Sequence, residues 1–83
     1  MKRAFTDVAW SQYCSWTDDR KTLQRINRMI DEALRDPGFG IGKPERLSGD
    51  LAGFWSRRID QEHRLVYVVD AEGITVISAR YHY

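Results

Sequence analysis

"HRLVYVVD", residues 63–70, is apolar on both faces once past Arg64, which is how a strand in the middle of a sheet reads. It runs into "DAEG" (70–73), a hairpin loop with Gly73 placed for the turn, and returns antiparallel as "ITVISARYHY" (74–83). Upstream, "FWSRRID" (54–60) alternates Trp55, Arg57 and Ile59 against Ser56, Arg58 and Asp60, which adds a third strand. "GFGIGKPERLSGDLAG" (38–53) holds five of the six glycines and reads as a loop with at most a short strand around Glu45 to Leu47.

A sheet of this kind needs an apolar cover, and the first half of the chain supplies it. "KRAF" (2–5) is a short extended segment, and Thr6 and Asp7 are good N-caps for a helix in which Ala9, Tyr13 and Trp16 recur at helical spacing. "TDD" (17–19) opens a second, clearer helix. Its apolar stripe is Leu23, Ile26, Met29, Ile30, Ala33 and Leu34, with Arg20, Arg25, Arg28 and Arg35 on the other faces. Pro37 disfavours helix at Asp36 and Gly38 frees the turn, so the helix stops there. The expectation is one α+β domain over residues 1–83, ordered β-α-α-β-β-β-β, with both helices on one face of a mainly antiparallel sheet. The other face meets solvent or a ligand.

A chain of 83 residues builds only a modest core, so added support from a metal, a disulfide or a partner chain is common at this size. Cys14 is the single cysteine, which removes an internal disulfide and any cysteine-based zinc site, and suits the cytoplasm. His63 and His82, 19 positions apart without clustered carboxylates, give little support to a metal site, and no cofactor is expected. "MKRAFTDVAW" lacks the apolar run of a signal peptide, and "LVYVV" (65–69) falls far short of the roughly 20 residues of a membrane helix. Thirteen basic and twelve acidic residues leave a net charge of +1, spread evenly, so bulk charge names no partner. Ten of the thirteen bases are Arg, the residue suited to bidentate phosphate contact.

Strand alternation through "SARYHY" (78–83) places Ile77, Ala79, Tyr81 and Tyr83 toward the core and Ser78, Arg80 and His82 on the open face. The antiparallel partner brings Arg64 beside them, and Arg58 adds a further guanidinium from the strand before. Glu45, between Lys43 and Arg46 in "KPER", sits on the segment leading into this sheet. A carboxylate, an imidazole and guanidiniums on one surface are the parts needed to cleave RNA without a metal. The ribose 2'-OH must lose a proton, the 5'-oxygen must gain one, and the phosphorane gathers negative charge between those events. Histidine suits the acid role because its ordinary pKa, about 6.5, lies near working pH.

Every one of these residues also has a structural reading. Glu45 between two bases is an ordinary surface ion-pair partner, and Arg57 and Arg58 are ordinary decoration of an exposed sheet face. His63, in "QEH", is structural or superficial. Tyr67 and Tyr81 read as core aromatics, Trp10 and Trp16 as helix-packing residues.

Four segments in order, "GKPERL", "GFWSRRI", "EHRLVY" and the final "RYHY", closely resemble the YoeB-type toxins of the RelE/ParE superfamily of bacterial toxin-antitoxin systems. The likeness spans the chain. It implies the RelE-like microbial RNase fold and a messenger RNA endonuclease acting in the ribosomal A site, leaving a 2',3'-cyclic phosphate and a 5'-hydroxyl. Glu45 is then implied as general base, His82 as general acid, Arg64 as the group that neutralises the scissile phosphate, and Tyr83 as the residue that positions the nucleotide or His82. Lys43, Arg46, Arg58 and Arg80 are the basic residues placed for RNA. The family pattern has Pro after the Glu and a Lys two residues later, whereas this chain reads "ERLSG", with Arg46 and Ser48 at those positions. An adjacent strand residue points the opposite way, so Arg46 is not a simple replacement for that Lys.

The resemblance also implies partners: a cognate YefM-like antitoxin whose disordered tail folds over the toxin, the ribosome with its message, and a second copy in a homodimer. The exposed tryptophans or the first helix are candidates for that dimer contact. The alternative within the superfamily is a non-enzymatic ParE-like toxin that poisons a protein target such as gyrase, and a third reading is a decayed regulatory module. The joint presence of Glu45 and His82 argues against the ParE branch.

Overall fold

The computed structural model describes residues 1–81, so the expectations for His82 and Tyr83 lie outside the described residues. The order is β1 (Lys2–Phe5), α1 (Asp7–Cys14), α2 (Arg20–Arg35), β2 (Glu45–Arg46), a 3-10 turn (Gly49–Leu51), β3 (Trp55–Arg58), β4 (Arg64–Asp70) and β5 (Gly73–Ser78). The strands form a five-stranded sheet in the order β1-β5-β4-β3-β2, antiparallel throughout except for the parallel pair β1 and β5. The doubly apolar "LVYVV" is thus the central strand. The order β-α-α-β-β-β-β and the two helices on one face agree with the sequence reading.

The caps lie where the sequence puts them. Thr6 Oγ1 accepts the Ala9 N–H at 3.1 Å, and Asp19 accepts from Thr22 N at 3.1 Å and Thr22 Oγ1 at 2.8 Å. Those bonds hold the Asp19 carboxyl below its ordinary value, the Thr22 hydroxyl contributing most. α2 stops at Asp36, which is extended. Ile26, Met29, Ile30 and Ala33 are buried against Leu65, Tyr67, Ile74, Val76 and Ala79, and Phe5, Tyr13, Leu23 and Leu34 close the margins. No helix among the described residues is long and apolar enough to cross a membrane.

Three expectations need correction. The first concerns β5, where register slips between Val66 and Tyr67: Val66 faces Ser78 and Tyr67 faces Val76, so Ile77 is the extra residue of a β-bulge. A one-residue slip reverses the alternation. Ile74 and Val76 are therefore core residues, Ile77 is only half-buried, and Ala79 beyond the bulge is buried again. The second is Tyr81. The strand ends at Ser78, the chain turns, and Tyr81 stands 61% exposed in the left-handed region at φ 64°, so it is no core aromatic.

The third is Arg57, which is fully buried rather than surface decoration. Its Nε donates to Tyr67 Oη at 2.7 Å, Nη1 to the Ile41 carbonyl at 3.2 Å, and Nη2 to the carbonyls of Asp36, Pro37 and Phe39 at 3.1, 3.3 and 2.7 Å. Glu32 Oε1 lies 3.7 Å from Nη1 and accepts the Ile41 N–H at 2.7 Å. The glycine-rich loop after α2 is thus pinned to the sheet by one side chain. Tyr67 also donates to the Pro37 carbonyl at 2.7 Å. Its burial pushes the phenol up, against the opposing influence of Arg57.

Candidate active site

The open face of the sheet is assembled by register. Glu45 on β2 lies opposite Ser56 on β3, Ser56 opposite Val66 on β4, and Arg58 opposite Arg64. Residues directly opposite share a face, so Glu45, Ser56, Arg58 and Arg64 belong to one surface drawn from three strands. Arg64 reaches across β3: its Nη1 is 3.6 Å from Glu45 Oε1 and 3.4 Å from Ser56 Oγ. Val66 and Ser56 are both almost wholly buried and form the floor under this pair. Glu45 itself remains 61% exposed, so a ligand reaches its carboxylate freely.

A third strand-end meets the same place. The Arg64 N–H donates to the Tyr81 carbonyl at 2.7 Å, three residues past the end of β5. The segment 78–81 is held from its other side too. Gln12 Oε1 accepts from Ser78 Oγ and Ala79 N at 3.1 and 2.8 Å, and the Trp16 indole donates to the Ala79 carbonyl at 2.7 Å.

Of the basic residues expected for RNA, the structure brings Arg58 to the Glu45–Arg64 surface. Lys43, exposed, precedes Glu45 by two residues in a left-handed conformation at φ 51°. Arg46 points the other way, its guanidinium 5.4 Å from the centre of the Trp55 ring, as strand alternation requires. Arg80 is also turned aside: its guanidinium lies 4.0 Å over the Trp16 ring and donates to Ser15 Oγ at 2.9 Å. The bend after Ser78 removes it from the alternating face on which an extended strand would carry it. Ser48 contributes no charge, so nothing in "ERLSG" adds a cation beside Glu45.

Two residues beside this pair escape a reading by residue type. Ser56 accepts from Arg64, and its alternation with Arg58 was the available signal. His63 is buried, with its ring edge-on to Trp16 and Tyr81, and its Nδ1 accepts the Tyr81 N–H at 2.7 Å. That bond spans a turn and the whole hairpin, and no local pattern in "QEH" announces it.

A carboxylate beside a guanidinium on an open sheet face, next to an anchored chain segment, is compatible with several phosphate chemistries. Residues 5–83 match the model of the YoeB-like toxin of bacterial type II toxin-antitoxin systems. The chain belongs to the YoeB toxin family. It is 51% identical to the toxin YoeB of Streptomyces coelicolor over 84 residues, with both chains fully covered. A YoeB/ParE toxin from Agrobacterium tumefaciens superposes with a TM-score of 0.93 at 46% identity, again over the full length of both chains. Staphylococcus aureus YoeB, solved as a dimer and in a heterotetrameric complex with YefM, superposes with TM-scores of 0.92 and 0.91 at 40% identity. Each of those alignments covers 100% of this chain and 98% of the other. The α+β architecture expected from the sequence is that of these YoeB toxins.

Proposed function

We propose that this YoeB-family toxin is a metal-independent messenger RNA endonuclease that acts on the ribosome. The observation that carries the reading is the Glu45–Arg64 pair, 3.6 Å apart on the open face, with Arg58 opposite Arg64 and the Tyr81 carbonyl bonded to the Arg64 N–H. Glu45 takes the proton from the ribose 2'-OH. That oxygen attacks the adjacent phosphorus, and the Arg64 guanidinium balances the charge gathering on the phosphorane. His82 donates a proton to the departing 5'-oxygen, leaving a 2',3'-cyclic phosphate and a 5'-hydroxyl, and Tyr83 positions the nucleotide or His82. An incoming phosphate competes with Glu45 for Arg64, so substrate binding itself releases the base. Lys43 and Arg58 hold the RNA backbone near the scissile bond, with Arg46 and Arg80, stacked on Trp55 and Trp16, at its periphery.

The same reading assigns the partners. A YefM-like antitoxin with a disordered tail folds over the toxin, and the toxin pairs with a second copy; the S. aureus YoeB structures with YefM and as a dimer support both. The site of action is the cytoplasm, where ribosomes and messages are found.

The test is a reconstituted translation reaction in which message ends are mapped. The unmodified protein should cut within the A-site codon. Glu45→Ala should lose on the order of 10²–10⁴-fold in cleavage rate, the usual worth of a positioned acid or base, and His82→Gln a similar amount. Translation that stops while messages stay intact would replace this reading with poisoning of a protein target.

A further inference from the structure

His63 takes no part in the proton transfers above, yet it is buried and makes a bond with one chemical meaning. The Tyr81 N–H is a donor only, so the His63 Nδ1 that accepts it at 2.7 Å is unprotonated. A neutral ring then carries its proton on Nε2, which lies 3.7 Å from the Glu62 carboxylate. The ring is fixed by its edge-on contacts with Trp16 and Tyr81, at 5.1 and 5.6 Å between centroids. Its backbone is fixed as well: the His63 N–H donates to Asp60 Oδ1 at 2.6 Å, and its carbonyl accepts from Ile59 N at 2.9 Å. Burial raises the Asp60 carboxyl, but the N–H bonds from His63 and Glu62 outweigh it and hold that group below its ordinary value.

Tyr81 is thereby clamped through both of its backbone polar groups. Its N–H goes to the His63 ring and its carbonyl to the Arg64 N–H, from consecutive residues of one strand start. The clamp holds a non-glycine residue at φ 64°, a conformation that needs external support.

We propose that His63 is a positioning residue: its bare Nδ1 holds Tyr81, the residue that precedes His82 and Tyr83 in the sequence, in place beside Arg64. The assignment rests on the nuclease reading for its catalytic consequence, but the clamp itself is observable without it.

The experiment compares His63→Asn, whose Oδ1 can stand where Nδ1 stands, with His63→Gln, which offers no acceptor there, and His63→Leu. The Tyr81 amide is followed by NMR hydrogen exchange at pH 7.5, and message cleavage is measured in parallel. At pH 7.5 the Tyr81 amide should be protected in the unmodified protein and in His63→Asn, and exposed in the other two. Cleavage by His63→Gln should fall about 10–100-fold in kcat with KM little changed, since misplacement by about 1 Å costs up to that much, and His63→Asn should stay within about threefold of the unmodified protein. Protection of the Tyr81 amide in His63→Gln equal to that in the unmodified protein would overturn the clamp, whether or not His63→Leu folds. Loss of protection in His63→Gln with unchanged cleavage would overturn the positioning role while leaving the nuclease reading intact. An unmodified protein that cuts no message defeats the nuclease reading, and with it the catalytic consequence, while the amide still reports the clamp.

Discussion

Arg57 and Arg58 are adjacent residues of one type with opposite fates. Alternation in "FWSRRID" puts them on opposite faces, but reading both as decoration of an exposed face missed that Arg57 is buried, and residue type says nothing of why a guanidinium is tolerated in a core. The carbonyls of Asp36, Pro37, Phe39 and Ile41 are the reason, and they arrive from a loop 16 to 21 residues away. Removing the guanidinium takes the donor from the Phe39 and Ile41 carbonyls and one of two partners from Asp36, Pro37 and Tyr67 Oη, so Arg57→Met should lose roughly 3–5 kcal/mol of stability. The urea midpoint reads this directly. Arg58→Ala should leave that midpoint within about 0.5 kcal/mol, as exposed substitutions do. Glu45 and Arg64 were legible as neighbours on the open face from strand placement, and Ser56 from its alternation with Arg58; His63 was not, because it acts through a contact 18 residues away.

At the scale of elements, the parallel edge depends on Gly73. It sits at φ 146°, paired with Lys2, and a Cβ there would overlap the Lys2 backbone. Gly73→Ala should therefore separate β1 from β5 at that end, costing roughly 2–4 kcal/mol from backbone strain and overpacking together. Faster amide exchange at Lys2 and Thr6, whose N–H groups bond the Glu72 and Val76 carbonyls, would mark the loss. The glycine was readable as a turn residue from "DAEG", whereas its close approach to a strand 70 residues earlier was not. The β5 bulge is the other element-scale feature hidden from the sequence. An inserted residue leaves each local run apolar enough to pass for a regular strand, yet it decides which of Ile74, Val76 and Ile77 enter the core.

Over the whole molecule, acid works against the fold through specific carboxylates. Glu32 is held below its ordinary value of 4.5 by the Ile41 N–H first, then by Arg28 and Arg57, and Asp19 and Asp60 lie below 3.8. A depressed carboxyl stabilises fully above its unfolded value, and that contribution is lost as pH falls through the folded one. Thermal denaturation should therefore show Tm steady from neutral pH down to about pH 5 and falling below the ordinary carboxylate range near pH 4. Glu32→Gln should lower Tm at neutral pH and flatten part of the acid decline; an unchanged acid profile in that variant would remove Glu32 from the account.

The sequence by itself determined the elements and their order, because caps, stop signals and hydrophobic period act over a few residues at a time. It determined the chemical kit of the open face for the same reason: Glu45, Arg58 and Arg64 lie on short strands whose alternation is local. Tertiary structure alone decided the rest. That Arg57 is buried, that Arg80 turns onto Trp16, that Tyr81 leaves the core and that His63 clamps it are outcomes of contacts between distant segments. Their energies enter only once the loop after α2, the end of β5 and the start of β4 have been brought within hydrogen-bonding distance of one another.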